Sequence, residues 1–179
     1  MTSNKKTLLR SIRLSVEHDK LLEDDAKKKG LSVNSLITTL ITKYAEWDRF
    51  TERFGYVSLG RQGFKNLFDL LSDEALVVHG REVGGKNAPE ITRFWFGKLN
   101  LETFFSFLTV HSKYSGLYHY EISSHGRTHF ITFHHELGPR YNVVLMHYFD
   151  QAIRKIVGVA PKLENGNTSF VLSFQEPRP

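Results

Sequence analysis

The sequence predicts an α+β protein in two parts, and three observations lead to this prediction. Residues 10–47 show one short alternating segment followed by two helical patterns. Residues 61–114 continue with helical patterns, and residues 117–174 read as strand, strand, helix, strand, strand. We therefore expect a first domain at residues 1–50 and a second at residues 56–179, in which helices pack on a four-stranded sheet.

The amino-terminal pattern is clear enough to predict its elements. Ser11–Val16 alternates polar and apolar residues with the period of a half-buried strand. A charged helix follows over Glu17–Lys29, and Gly30 ends it. Ser32 is a favourable N-cap residue for a second helix. The apolar residues of that helix recur with helical spacing and are Val33, Leu36, Ile37, Leu40, Ile41, Tyr44 and Ala45.

One strand and two short helices predict a symmetric dimer. A lone strand leaves the backbone groups of both edges unpaired, and about forty residues bury too little apolar surface to fold alone. A second copy of the chain supplies an antiparallel partner strand across a two-fold axis, and the paired second helices supply a shared core. Because alternate residues of a strand face opposite sides, Ile12 and Leu14 then face the core while Ser11 and Arg13 face outward.

The segment at residues 7–47 resembles the ribbon-helix-helix DNA-binding domain of the Arc and MetJ repressor type, down to the Gly-Leu-Ser-Val-Asn-Ser run at Gly30–Ser35. The resemblance implies an intertwined β-α-α dimer whose two-stranded ribbon enters the major groove of double-stranded DNA. It also implies that Ser11 and Arg13 read base edges, as a serine hydroxyl and an arginine guanidinium are able to do.

The same resemblance implies contacts with the DNA backbone. Family members clamp phosphate at the positions of Ser32, the Val33 amide and Asn34, where the amino end of a helix carries a partial positive charge. For Ser32 the alternative is helix capping alone.

Charge adds further phosphate candidates. The net charge is +5, and the first sixteen residues contain no acidic residue. A concentration of positive charge favours a polyanionic partner. We therefore expect Lys5, Lys6 and Arg10 to contact phosphate. The alternatives are a solvated basic tail and, for Arg13, a surface ion pair with Glu17 or a neighbouring acidic residue.

The second domain is predicted to contain several helices and two β-hairpins. Gly84 and Gly85 are expected to end one helix, and Pro89 to begin the next. The predicted helices are 61–71, one capped by Ser72 that runs towards Val83, one that begins at Pro89, one capped by Asn100, and 140–157. The predicted strands are 117–123, 128–135, 159–163 and 168–174.

Nine histidines and no cysteine raise the question of a metal site. A hairpin closed at Ser124–Arg127 places His119, Glu121 and His134 on one face, and these side chains suit zinc or nickel. Nickel-responsive regulators also join a ribbon-helix-helix domain to an α+β sensor domain, but their metal site includes a cysteine. Histidines in strands are more often hydrogen-bonded surface residues, so we expect no metal and name these three as the candidates.

Catalysis has no positive support in the sequence. Gly80–Gly85 is glycine-rich but follows no strand and lacks the Gly-Lys-Ser/Thr ending of a phosphate-binding loop, so we interpret it as a helix end. No nucleophile elbow, paired-carboxylate signature or His-Glu-x-x-His motif occurs. The lack of cysteine favours the reducing cytoplasm as the location of the protein. The sequence contains no apolar run of about 18 residues, the length that would predict a membrane span.

These observations predict a sequence-specific transcription regulator, such as a repressor, that binds DNA as a homodimer or a higher even oligomer. The second domain is expected to sense a small molecule or to extend oligomerisation. Six aromatic residues of that domain are expected mainly to form its hydrophobic core, and those not needed there would line an apolar effector pocket or a subunit interface. They are Phe94, Trp95, Phe96, Phe104, Phe105 and Phe107. The alternative is an antitoxin-like module whose second domain captures a partner protein.

Overall fold

The computed structural model describes residues 8–177, and the chain divides into two compact units with the boundary between Ala45 and Glu46. This boundary is slightly earlier than the expected one at residue 50. Trp47 explains the shift because its ring packs edge-on against those of Trp95 and His111, both in the second unit. The predicted phosphate contacts Lys5 and Lys6 lie outside the described residues.

The first unit contains two capped helices, α1 at Val16–Lys28 and α2 at Val33–Lys43. The α1 helix begins where the Ser15 hydroxyl accepts a hydrogen bond from the His18 amide at 3.2 Å. The α2 helix begins in the same way at Ser32, as the sequence predicts. The two helices pack against each other.

The predicted strand at Ser11–Val16 does not form within this single chain. Residues 8–15 have no regular secondary structure, and Val16 is already the first residue of α1. The segment does not join the sheet of the second unit either. A strand needs a neighbour to satisfy its backbone N–H and C=O groups, and one copy of the chain provides none here.

Up to residue 177, the second unit contains five helices and four strands, and a π-helical turn at Tyr44–Asp48 leads into it. The helices are α3 Arg49–Phe54, α4 Arg61–Asp69, α5 Asp73–Phe96, α6 Leu101–Ser115 and α7 Pro139–Ile156. The strands are β1 His119–His125, β2 Thr128–His134, β3 Lys162–Asn165 and β4 Ser169–Gln175. The predicted order β-β-α-β-β is confirmed. Among the helices within residues 8–177, none is long and apolar enough to span a bilayer.

The four strands form one antiparallel sheet in the order β1-β2-β4-β3. Alternate residues of the two central strands point to one face, and Ile131, Phe133, Phe170 and Leu172 on that face are fully buried. The ring of Phe149 from α7 stacks on Phe133 with the centroids 4.2 Å apart. The core of the second unit therefore lies between this face of the sheet and the helices, as expected for an α+β domain.

The α5 helix corrects the prediction that Gly84 and Gly85 end one helix and that Pro89 begins another. The helix runs through all three residues. Its glycines allow α7 to approach closely, because a Cβ atom on Gly80 would lie 2.5 Å from the carbonyl oxygen of Val144. Close packing against α7 outweighs the low helix propensity of glycine and the N–H that Pro89 lacks.

Candidate functional site

The first unit buries very little of its apolar surface. Within residues 8–45 only Ala26 and Leu36 are buried. Its exposed large apolar side chains are Leu8, Leu9, Ile12, Leu14, Val16, Leu21, Leu31, Leu40, Ile41 and Tyr44. Contiguous exposed apolar side chains of this kind are characteristic of interaction surfaces.

The exposed apolar residues of α2 follow its helical stripe. Leu36 and Ile37 near the start are buried or half-buried, whereas Leu40 is 50% exposed, Ile41 62% and Tyr44, just beyond the helix, 56%. The predicted stripe is therefore real, but one chain covers only its first part. The rest of the stripe remains exposed in the single chain.

The predicted base-reading residues lie before α1 and are solvent-exposed. Ser11 and Arg13 have no regular secondary structure around them, and Arg10 is exposed beside them. Arg13 forms no ion pair with Glu17 or with any other of the residues 8–177. The guanidinium group is thus available to an external partner, and the alternative of a surface ion pair is not what the structure shows.

The predicted phosphate clamp lies at the amino end of α2. The Ser32 hydroxyl accepts a hydrogen bond from the Ser35 amide at 3.1 Å and lies 2.8 Å from the Ser35 hydroxyl, which confirms its capping role. The first turn of α2 contains no acidic residue, whereas the first turn of α1 contains Glu17 and Asp19. The positive end of the α2 dipole is therefore open to an anion.

The metal candidates lie on the solvent face of the sheet. His119 pairs directly with His134 across β1 and β2, and Glu121 follows on the same face two residues later. All three side chains are exposed. Within the described part of the chain, no group of three or more His, Cys, Asp or Glu residues is arranged to hold a metal ion.

A serine, a histidine and a glutamate are joined by hydrogen bonds at the closed end of the β1–β2 hairpin. The Nδ1 atom of His129 lies 2.8 Å from the Ser124 hydroxyl, and its Nε2 atom lies 2.7 Å from a carboxylate oxygen of Glu176. Ser124 and His129 are direct partners in the register. The linear sequence does not reveal this cluster, because Glu176 lies far from Ser124 and His129 in the chain.

This cluster is a buried imidazole whose two ring nitrogens both have hydrogen-bond partners. His129 is buried, and its ring packs between Phe105 and Phe174. A buried histidine needs a partner for each nitrogen, and Ser124 and Glu176 supply both. Since the three polar residues come from β1, β2 and the segment after β4, the cluster ties three strands together.

The predicted DNA contacts within residues 8–177 lie in two segments of the first unit. Arg10, Ser11 and Arg13 precede α1, and Ser32–Asn34 open α2. Both segments belong to the unit that leaves most of its apolar side chains uncovered. Comparison of this chain with models of protein families, with curated proteins and with solved structures finds no match.

Proposed function

We propose that the protein is a sequence-specific DNA-binding transcription regulator that acts as a homodimer through an amino-terminal ribbon-helix-helix domain. The observation that carries the proposal is the first unit, whose two helices bury only Ala26 and Leu36. A first unit with so small a core lacks, in one copy, the apolar burial that stabilises an independent fold. A second copy would cover the exposed ends of both α2 helices and provide the missing partner strand.

In this dimer the segment before α1 forms one strand of an antiparallel ribbon. Ile12 is 61% exposed and Leu14 is 42% exposed in the single chain, and both would turn to the shared core. Ser11 and Arg13 would then lie on the opposite face, which enters the major groove, about 12 Å wide. Arg13 is suited to donate two hydrogen bonds to O6 and N7 of a guanine.

Phosphate contacts would provide most of the affinity. Arg10, together with Lys5 and Lys6, would meet the backbone beside the groove, and the amino end of α2 would meet it through Ser32 and Asn34. Because these contacts release counterions, affinity should fall steeply as salt is raised. The base contacts of the ribbon should provide the discrimination between sequences.

Selection of bound DNA from a random pool tests this function directly. The full chain is used at two salt concentrations, and the bound fraction is sequenced after several rounds. We expect enrichment of a palindromic or tandem half-site, with a smaller bound fraction at the higher salt concentration. Recovery of unselected sequence at both salt concentrations contradicts the proposal.

A further inference from the structure

The second unit contains a cavity of about 360 Å³ that reaches the protein surface. Its wall comes from α4, α5, α6, α7, the segment between α3 and α4 and the segment before β1, and most of the wall is aromatic or aliphatic. Tyr56, His79 and Asn87 are exposed and mark its opening. The volume lies within the range of small-molecule sites, roughly 300–1,000 Å³.

Two buried polar atoms in residues of this wall lack a hydrogen-bond partner. They are Nδ1 of His111 and the hydroxyl of Tyr118, whose side chains are 7% and 2% exposed. The third such atom among the described residues, Nε1 of Trp95, belongs to a residue outside the wall. Buried polar groups are nearly always hydrogen-bonded, so two unpaired groups in one cavity wall indicate a missing partner.

The wall favours an uncharged occupant. No lysine, arginine, aspartate or glutamate is among the residues that form it. Burial lowers the pKa of His111 to about 4, so its imidazole is neutral near pH 7 and offers one donor and one acceptor. Burial raises the pKa of the Tyr118 hydroxyl, which therefore keeps its proton. A charged ligand would lose its hydration here without gaining a counter-charge.

We propose that this cavity binds an uncharged, largely apolar small molecule that carries a hydroxyl or carbonyl group. The apolar body fills the cavity, and the oxygen hydrogen-bonds to His111 and Tyr118. A hydroxyl suits both groups because it accepts from Tyr118 and donates to the neutral imidazole. The proposal assigns ligand binding to the second unit, and binding itself does not depend on the DNA-binding function proposed above.

The cavity differs from the aromatic pocket that the sequence suggested. None of the six aromatic residues from Phe94 to Phe107 named as pocket candidates lies in its wall. The wall instead uses aromatic residues that lie apart in the chain, such as Phe68 and Tyr141. Each of these is brought to the cavity by a different helix, which a linear pattern does not reveal.

Three probes of similar ring size test the proposed chemistry with the full chain in the absence of DNA. They are 1-naphthol, naphthalene and naphthalene-1-sulfonate, and binding is followed by isothermal titration calorimetry at pH 7. We expect one 1-naphthol per chain, weaker binding of naphthalene, and binding of the sulfonate at least about tenfold weaker than that of 1-naphthol. No saturable binding of 1-naphthol at millimolar concentration overturns the proposal.

A matched pair of substitutions on α5 locates the site. Val83 lies in the cavity wall, whereas Val78 on the same helix lies outside it and is 55% exposed. Val83→Phe should fill the cavity and lower the affinity for 1-naphthol at least about tenfold. Val78→Phe adds the same ring elsewhere and should leave the affinity unchanged. Equal binding by both variants places the ligand outside the cavity and overturns the proposal.

His111→Phe tests the hydrogen bond to the ligand separately from the apolar contacts. This variant also provides a test if Val83→Phe does not fold. The substitution keeps a ring of similar shape but removes both nitrogens. We expect the preference for 1-naphthol over naphthalene to shrink severalfold while naphthalene binding persists. An unchanged preference contradicts the role of His111. Because no DNA is present, failure of this test leaves the DNA-binding proposal standing, and failure of the DNA selection leaves this one standing.

Discussion

The imidazole of His111 stacks on the ring of Tyr118, with the ring centroids 5.6 Å apart and the ring planes inclined by 20°. The ring of His111 also makes a T-shaped contact with the ring of Trp47, with the ring centroids 5.7 Å apart. Aromatic rings thus surround an ionisable group whose Nδ1 atom is buried without a partner. Such surroundings disfavour the charged imidazolium, and burial accordingly lowers the pKa of His111 to about 4 from its ordinary value of 6.5.

The first prediction concerns the pH dependence of stability. Below pH 6.5 the unfolded chain binds a proton at His111, but the folded chain does not until the pH nears 4. The free energy of unfolding should therefore fall as the pH drops through this range, by roughly 3 kcal/mol from this residue. Urea unfolding at pH 7, 5.5 and 4.5 measures the change.

The control for this prediction is His111→Phe, which removes the proton site. Burial also lowers the pKa values of His135 and His147, so the wild-type chain has other sources of acid sensitivity. The difference between the wild type and the variant in how the free energy of unfolding depends on pH gives the contribution of His111. Parallel curves for the wild type and the variant would refute the assigned cause.

The second prediction uses two adjacent glycines of α5. A Cβ atom on Gly84 would collide with the backbone of Tyr148 in α7, whereas one on Gly85 would meet the nearest atoms of Gln151 at 3.9 Å. Gly84→Ala should lower the free energy of unfolding by about 1–3 kcal/mol through overpacking. Gly85→Ala should raise it by about 0.5–1 kcal/mol through helix propensity. Chemical denaturation of both variants measures the contrast, and equal effects would contradict the close packing of α5 on α7.

The α5 helix also shows where prediction from the sequence stops. Gly84, Gly85 and Pro89 each favour a break when only local preferences are considered. The structure continues the helix because the glycines permit a backbone contact with α7, about sixty residues away in the chain. Local propensity does not contain that contact, so the prediction of two helices was wrong.

Features set by local chemistry were predictable. The caps at Ser32, Ser72 and Asn100 follow from side chains that bond to amides three residues on, and all three are confirmed. The two hairpins follow from strand periodicity and turn residues. The His129 cluster and the cavity depend on residues that only the tertiary fold brings together, and the ribbon needs a second chain.

The third prediction concerns the buried side chain of Asn142. Its amide donates to the side-chain oxygen of Asn165 at 2.7 Å and to the Gly166 carbonyl at 3.0 Å, and its oxygen lies 2.9 Å from Nε2 of His135. Asn142→Ala leaves these groups without that partner and should cost about 2–3 kcal/mol of unfolding free energy. Asn66→Ala, at an exposed position, is the control and should change the value by less than about 0.5 kcal/mol. Thermal and urea denaturation provide the measurement.

The fourth prediction tests the dimer through the exposed part of α2. Leu40 is 50% exposed in the single chain, and the proposed partner covers it. Leu40→Asp would place a charge in that shared core and should convert the dimer to monomers at micromolar concentration. Sedimentation velocity measures the mass. Leu70→Asp is the matched control because Leu70 lies in the second unit and is 82% exposed. A Leu40→Asp variant that remains a dimer would contradict the proposed interface.

The fifth prediction assigns discrimination between DNA sequences to Arg13 and part of the overall DNA affinity to Arg10. Arg13→Ala removes a contact with a base edge. It should therefore reduce the difference in binding free energy between selected and scrambled duplexes by about 1–3 kcal/mol. Arg10→Ala should weaken binding to both duplexes equally and reduce the salt slope by about 2, because each chain of the dimer loses one phosphate contact. Fluorescence anisotropy with each duplex at several salt concentrations gives both quantities.

Arg53→Ala is the control for both arginine substitutions, since Arg53 is an exposed arginine of the second unit. It lowers the net charge by the same amount and should leave the affinity ratio unchanged. A purely electrostatic role for Arg13 would make Arg13→Ala behave like Arg10→Ala, with an unchanged ratio and a smaller salt slope. That result would remove Arg13 from the base-reading face and require the ribbon to lie in the groove in another orientation.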